Sequence, residues 1–459
     1  MVNLIVEFSK YAILTLMVLY TLSCVYLVEK PVGRQSRFWN WGQFFLVICM
    51  YSISFLVIAL KTRDYGVVVL YVEMLVLFLA LQISYRLIYP QASVALLNTT
   101  CMLLGLGFTM LCRLDIVSAS RQLLIAAGAS VLALAVPLMI RRMRFLKKLA
   151  AVYAAAGILL LGAVLMLAQT SYGAKLSLMG IQPSEAIKIT FVFFLASVLW
   201  RTPSLGKVAA ATIVAALHVG ILVLSRDLGS ALIFFVTYLA LIYVSTRKPV
   251  LLGVGAAGGA VAAVCAYHLF HHVKERVSAF VDPLAVYENE GYQIVQSLFA
   301  IGTGGWFGMG LCQGSPEVIP VVKNDFIFSA IYEELGGIFA ICLICVCVCF
   351  FLLIVNISLQ IKNPFYKLVA LGLGIEYALQ VFLTIGGAIK FIPMTGVTLP
   401  LVSYGGSSLV CSLLMIAIVQ GLYIYREDED EEIERLRREA AFRQKHPIQA
   451  ALRQKTKRY

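Results

Sequence analysis

The residues best equipped for chemistry lie between Tyr292 and Gly337, the one long hydrophilic interruption in an otherwise apolar chain. A glycine-rich stretch there leads to a lone aspartate, Asp325, at the edge of the next apolar run. An ionisable group at a membrane boundary points to function, because its burial is costly. If a helix begins at Asn324 or Asp325, then Asp325, Ser329, Tyr332 with Glu333, and Gly336 share one face. Glu333 would then lie roughly 12 Å deeper than Asp325, and Glu334 would point the other way. That stripe predicts a cavity lined by polar groups. Helix capping also explains the position of Asp325, but not the polar residues beneath it. A carboxylate placed there can act as a general base or hold a polar substrate.

Further candidates open other apolar runs. Gln182-Pro183-Ser184-Glu185 suits a helix start, and Glu185 and Lys188, three residues apart, can neutralise each other inside a membrane. Ser225-Arg226-Asp227 opens another helix in the same manner. Lys390 through Pro400, followed by Ser403 to Ser408, carries two prolines and several glycines and predicts a broken segment. Such backbone survives at membrane depth only where it is buried in protein or lines a wet cavity. Its Thr395 and Ser403 join Glu185, Lys188 and Glu333 as candidate substrate-binding residues. Lys175, Arg226, Lys274, Arg276, Lys323 and Lys390 are scattered along the same side of the predicted topology. Snorkelling explains any one of them; together they suit an anionic ligand. Lys175, Arg226, Lys323 and Lys390 are taken forward as binding candidates.

Some patterns carry less. The run Gly302-Thr303-Gly304-Gly305, with Gly308 and Gly310, follows no strand and lacks a Lys-Ser/Thr pair, which argues against nucleotide binding. It suits close approach of a pyrophosphate, or chain reversal. His268, His271 and His272 read as a polar helix end. Cys342, Cys345, Cys347 and Cys349 fall inside one span without an interleaved acidic or His ligand, so they read as packing residues and not as a metal site.

The elements that must position these residues are membrane helices. The 459-residue chain is 61% hydrophobic and 13% charged, with mean hydropathy +0.90, which excludes a soluble globular class. Apolar runs of about 20 residues predict an all-α polytopic protein. Thirteen spans are read near 6–28, 41–60, 67–89, 94–112, 122–140, 149–169, 185–201, 207–224, 228–246, 249–270, 327–357, 366–388 and 403–425. No cleavable signal peptide is evident in the first run. Residues 1–93 read as an accessory three-helix module, 94–425 as a ten-helix core with a large outer loop over 271–326, and 426–459 as a charged tail.

The net charge of +13 does not indicate nucleic acid, because the basic residues gather in alternate short loops. These are Arg141-Arg142-Met143-Arg144 with Lys147-Lys148, Arg201 with Lys207, Arg247-Lys248, and Lys362 with Lys367. The positive-inside rule places these loops and the C-terminus in the cytoplasm and Tyr292–Gly337 outside. The tail spaces Glu434 and Arg438 for an exposed helix whose basic end suits membrane lipid.

In order and spacing, five words resemble the SEDS (shape, elongation, division and sporulation) family, which includes FtsW, RodA and SpoVE. They are Gln182-Pro183-Ser184-Glu185; Asp227-Leu228-Gly229; Tyr292-Gln293-Ile294 with Ala300-Ile301-Gly302; Asn324-Asp325-Phe326-Ile327-Phe328 with Glu333-Glu334-Leu335-Gly336; and Pro393 through Ser408. Lys323-Asn324 stands where the family usually has His-Thr. The resemblance implies a peptidoglycan glycosyltransferase in the cytoplasmic membrane of a bacterium. Such an enzyme polymerises lipid II on the outer face during division, elongation or sporulation, beside a class B penicillin-binding protein. It also implies that polymerase activity depends on Asp325. Arg226, Lys323 and Lys390, or a divalent cation such as Mg2+ or Mn2+, are the expected partners of the pyrophosphate. Two other readings stay open from sequence: a flippase for lipid-linked precursors, and a non-catalytic scaffold for a transpeptidase.

Overall fold

The helices begin where short polar residues can cap them and end where glycine, proline or charge interrupts the apolar run. A computed structural model describes residues 2–29, 37–143, 145–167, 181–201, 203–288 and 291–445, with no β-strand element among them. The first helices are α1 (Val2–Glu29), α2 (Arg37–Thr62), α3 (Tyr65–Ile88), α4 (Val94–Leu114), α5 (Ile116–Arg142) and α6 (Ala150–Leu167). Then follow α7 (Pro183–Leu199), α8 (Leu205–Leu224), α9 (Leu228–Thr246), α10 (Pro249–Leu269) and α11 (His271–Val281). The rest are α12 (Gly291–Gly304), α13 (Ile327–Leu335), α14 (Gly337–Gln360), α15 (Pro364–Ala388) and α16 (Gly406–Lys445). Asp64, Ser93, Asp115, Asp227 and Asn363 cap helices with their side chains, while Pro183, Pro249 and Pro364 occupy first turns.

Among the described residues, twelve helices are long and apolar enough to cross a membrane. The seventh expected span is the shorter 17-residue α7, which is buried along most of its length. Helix α4 forms the centre. Nearly all of its residues are buried, with α2, α5 and α13 packed around it. At the opposite extreme, α10 has no buried residue and lies along α9 at the edge. The first three helices lean on the core, α1 against α14, α2 against α4 and α3 against α5. A buried amide knot ties them there. Gln82 Nε2 donates to Asn98 Oδ1 (2.7 Å), and Asn98 Nδ2 donates to the Asn40 carbonyl (2.8 Å).

The structure corrects one expected span. Residues 327–357 are not one helix; the chain breaks at Gly336, between α13 and α14. Gly336 has φ 89° and ψ 168°, a conformation open essentially to glycine alone. The break lets the 305–310 loop pair with it. Met309 N donates to Glu333 O (2.9 Å), Gly310 N to Glu334 O (2.8 Å) and Gly337 N to Gly305 O (2.9 Å). A Cβ on Gly336 would meet Gly308 N at 2.3 Å and Trp306 O at 2.6 Å, both backbone. Gly336→Ala should therefore cost more than about 2 kcal/mol, from backbone strain and overpacking together. Its melting temperature in detergent should fall by several degrees; an unchanged melt would contradict the close approach.

Alternation of the helices sorts the charges to two ends. The α4–α5, α8–α9 and α15–α16 junctions, with α11 to α13, share one end. Arg141, Arg142, Arg201, Arg247 and Lys362 fall at the other.

Candidate active site

Asp325 sits in a turn, not at a helix start. Helix α13 begins at Ile327, and its cap position is Phe326, without a side-chain capping bond. The expected start at Asn324 or Asp325 is therefore two to three residues early, and capping does not account for the aspartate. The turn is set by Val321, which has φ 55°; its carbonyl accepts from Asn324 N (3.0 Å) and Asp325 N (3.2 Å). This leaves the Asp325 carboxylate free of the helix and aimed at the broken 390–400 segment. A Cβ on Gly396 would lie 3.7 Å from Asp325 Oδ2.

The stripe expected below Asp325 is largely taken up by contacts within the protein, although Glu333 Oε2 is buried without a hydrogen-bond partner among the described residues. Ser329 is fully buried and shares a hydrogen bond with Ser297, whose hydroxyl donates to the Ala388 carbonyl (2.7 Å). Glu333 is buried as well, and its Oε1 accepts from Ser315 N (3.0 Å). Glu334 faces the other way, as expected, and its Oε1 accepts from Arg113 Nε at 2.9 Å. Arg113 also donates to Gly314 O (3.1 Å), so this pair fastens α13 and the preceding loop to α4.

The cation beside Asp325 is Arg276, on α11. Its Nη1 donates to the carbonyls of Met394 (3.4 Å) and Thr395 (3.2 Å), so it braces the broken segment from outside. The fields of Asp227 and Asp325 both favour the Arg276 charge, while burial opposes it. Partial burial pushes the Asp325 carboxyl up to about 6, and Arg276 pulls it back. Burial also raises Asp227, whose Oδ1 accepts from Ser230 N (3.1 Å) and whose Oδ2 accepts from Ser184 Oγ (3.2 Å). Thr395 closes against Gly229, where a Cβ would stand 3.0 Å from Thr395 O. The Thr395 hydroxyl is buried without a hydrogen-bond partner among the described residues. A buried hydroxyl is costly to leave unpaired, so one on the segment that faces Asp325 is a candidate binding group.

The remaining candidates divide. Lys188 Nζ pairs with Glu185 Oε2 (2.8 Å), as its spacing predicts, and also donates to Gln380 Oε1 (2.7 Å). This buried group lies one turn below Ser184, so it extends the site inward. Lys323 is not an open cation: its Nζ meets Asp115 Oδ2 at 2.6 Å, and that contact, more than any other, holds the Asp115 carboxyl down at about 2. Ser403 is also engaged, donating to Asn324 O and accepting from Leu399 N. Lys390 reaches the Val281 carbonyl at 3.5 Å, at the end of α11. Arg226 is exposed, with φ 64°, and its charge acts on His272. Lys175 lies outside the described residues.

Sequence reasoning singled out Asp325 but passed over Arg276 as the nearest cation and Asp227 as more than a cap. Arg276 stood among the scattered basic residues, with nothing local to distinguish it.

The profile of the FtsW/RodA/SpoVE family, described as cell cycle proteins, matches residues 94–428. This chain belongs to that family. RodA of Mycobacterium tuberculosis (strain ATCC 25618 / H37Rv), named a peptidoglycan glycosyltransferase, is 33% identical over 384 residues, covering 75% of this chain and 81% of that one. A probable peptidoglycan glycosyltransferase FtsW of Aliivibrio salmonicida is 33% identical over 276 residues, 57% of this chain and 69% of the relative. Among solved structures, a chain from a study of polymerization and crosslinking by a peptidoglycan synthase complex superposes with TM-score 0.62 at 26% identity, covering 73% of this chain and 98% of that one. The rod shape determining protein RodA of Thermus thermophilus gives TM-score 0.53 at 24% identity, over 72% and 96% of the two chains, and shares the fold.

Proposed function

We propose that this multi-pass membrane protein is a peptidoglycan glycosyltransferase that polymerises lipid II, with Asp325 as general base. The observation that carries the reading is the meeting of the Asp325 carboxylate with Arg276 at the broken 390–400 segment, whose Thr395 and Met394 carbonyls Arg276 also holds. They meet at the end of the helix bundle opposite the basic loops. Similarity to named peptidoglycan glycosyltransferases supplies the reaction class.

The reaction joins the 4-hydroxyl of one sugar to the anomeric carbon of a lipid-linked sugar and releases undecaprenyl pyrophosphate. A carboxylate with pKa near 6 is ionised at neutral pH yet basic enough to take the hydroxyl proton. Arg276, with Arg226 nearby, supplies fixed positive charge for the departing pyrophosphate. Among the described residues no group of three or more His, Cys, Asp or Glu could hold a metal ion, and Arg276 already supplies the positive charge that Asp227 and Asp325 face. A divalent cation held by substrate phosphates and one or two carboxylates needs no such group, and no step here is routed through one.

The positive-inside rule puts the end bearing Asp325 outside and the C-terminus in the cytoplasm. Lipid II is then met at the outer leaflet. A class B penicillin-binding protein is the expected partner, in keeping with the likeness to a chain of a peptidoglycan synthase complex. Purified protein given lipid II should yield glycan strands resolvable by gel after labelling. Lipid II scrambling in liposomes without polymer would favour the flippase reading; neither activity, with and without a transpeptidase, would favour a scaffold.

A further inference from the structure

We infer that Asp115, Lys323 and Asn324 form a clamp that positions the Asp325 carboxylate, and that Lys323 is therefore a positioning residue and not a pyrophosphate ligand. The inference rests on the reading of Asp325 as the base.

Two separate segments meet at the turn carrying Asp325. From the α4–α5 junction, Asp115 accepts from Lys323 Nζ (2.6 Å) while its other oxygen caps α5 at Val117 N (3.1 Å). The Ser118 hydroxyl donates to Asp115 Oδ2, and Lys323 Nζ lies 3.4 Å from that hydroxyl. From the turn before α16, Tyr404 N donates to Lys323 O (2.8 Å), and Asn324 Nδ2 donates to Tyr404 O (2.9 Å). Ser403 Oγ donates to Asn324 O. That second turn is itself fixed by α5, where Gln122 Nε2 donates to Ser403 O (2.9 Å) and Gln122 Oε1 accepts from Gly405 N (3.2 Å).

The two residues before Asp325 are thus held through side chain and backbone alike, while Asp325 itself makes no tie to this framework. Its carboxylate faces the substrate-side groups Gly396 and Arg276. One wall fixes the backbone and the other receives the carboxylate. A half-exposed ion pair such as Lys323–Asp115 contributes little to global stability. Its value is geometric, since a misplacement of about 1 Å at a reacting group can cost about 10²-fold in rate. A lysine already bonded to a carboxylate is also a poor pyrophosphate ligand, because it must first break that bond.

The test is a double-mutant cycle on lipid II polymerisation by full-length protein in detergent, with kcat and KM separated. Lys323→Met and Asp115→Asn should each lower kcat about tenfold, leave KM within about twofold, and show no further loss when combined. Lys323→Arg, which keeps the pair, should retain most activity and serves as the folding control. A raised KM in Lys323→Met with Asp115→Asn silent or tighter-binding would overturn the clamp and make Lys323 a ligand. Additive losses, or wild-type rates in both single variants, would overturn it too. Asp325→Asn is run beside them: activity there would defeat the general-base reading, whereas a dead Asp325→Asn with active clamp variants defeats only the clamp.

Discussion

Asp325→Asn should abolish glycan polymerisation to within assay limits, a loss of about 10²–10⁴-fold in kcat, while the protein melts as the parent does. The two halves of that expectation come from different facts. Asn matches Asp in shape, and the turn is held by Lys323, Asn324 and the Val321 carbonyl, none of which involves the Asp325 side chain. Helix α13 does not use Asp325 as a cap, so no capping energy is lost. What disappears is the basic oxygen alone. A variant with normal stability, normal lipid II affinity and no product isolates proton transfer from folding. Wild-type turnover in Asp325→Asn would instead leave the carboxylate as a spectator and return the flippase and scaffold readings to contention.

The site was legible in the sequence to the extent that its signals were local. Hydropathy found all the long helices because crossing a membrane requires each segment to satisfy its own backbone. The apolar runs put most starts within about four residues, while α5, expected from 122, begins at Ile116 behind its Asp115 cap. The break at Gly336 was invisible to hydropathy, since both sides are apolar and the cause is a backbone conformation paired with a loop 30 residues earlier. The same error in register gave Asp325 a place on a helix face and made Ser329 a cavity residue. Ser329 in fact binds Ser297 at the contact between α12 and α13. Charge partners were the least legible. Lys323 looked open because Asp115 lies 208 positions away, and Arg276 looked ordinary because Asp227 and Asp325 reach it only through the fold. Basic residues on the same side of a membrane look alike in sequence. Only packing separates the one facing the carboxylate from those already spent.

Acid should inactivate the enzyme through Asp325, and loss of Arg276 should move that inactivation to higher pH. The ionised carboxylate is the working base, and burial holds its pKa at about 6, so turnover should rise through pH 6 and level off above pH 7. Arg276 favours the ionised form, so it lowers this pKa against the effect of burial. Replacing it with Gln removes that help, and the midpoint should climb by about 1 unit or more. The plateau should also fall about 10²-fold, because the same guanidinium faces the departing pyrophosphate. Arg276→Lys keeps the charge but loses the Nη1 donor that braces the Met394 and Thr395 carbonyls. Its midpoint should stay near that of the parent while its plateau drops. Neither His272 nor Asp227 accounts for this pattern. His272, one turn from Arg276, is held below its ordinary value by burial, Arg226 and Arg276, and would respond to loss of Arg276 by moving up as well. Protonating His272, however, adds positive charge beside the leaving group and would not silence the enzyme in acid. Asp227 answers to the same cation but has its oxygens tied to Ser230 and Ser184, so it is not free to take a substrate proton. An acid limb that ignores Arg276→Gln would therefore separate Asp325 from Arg276, and with it remove the charge pairing on which the mechanism depends.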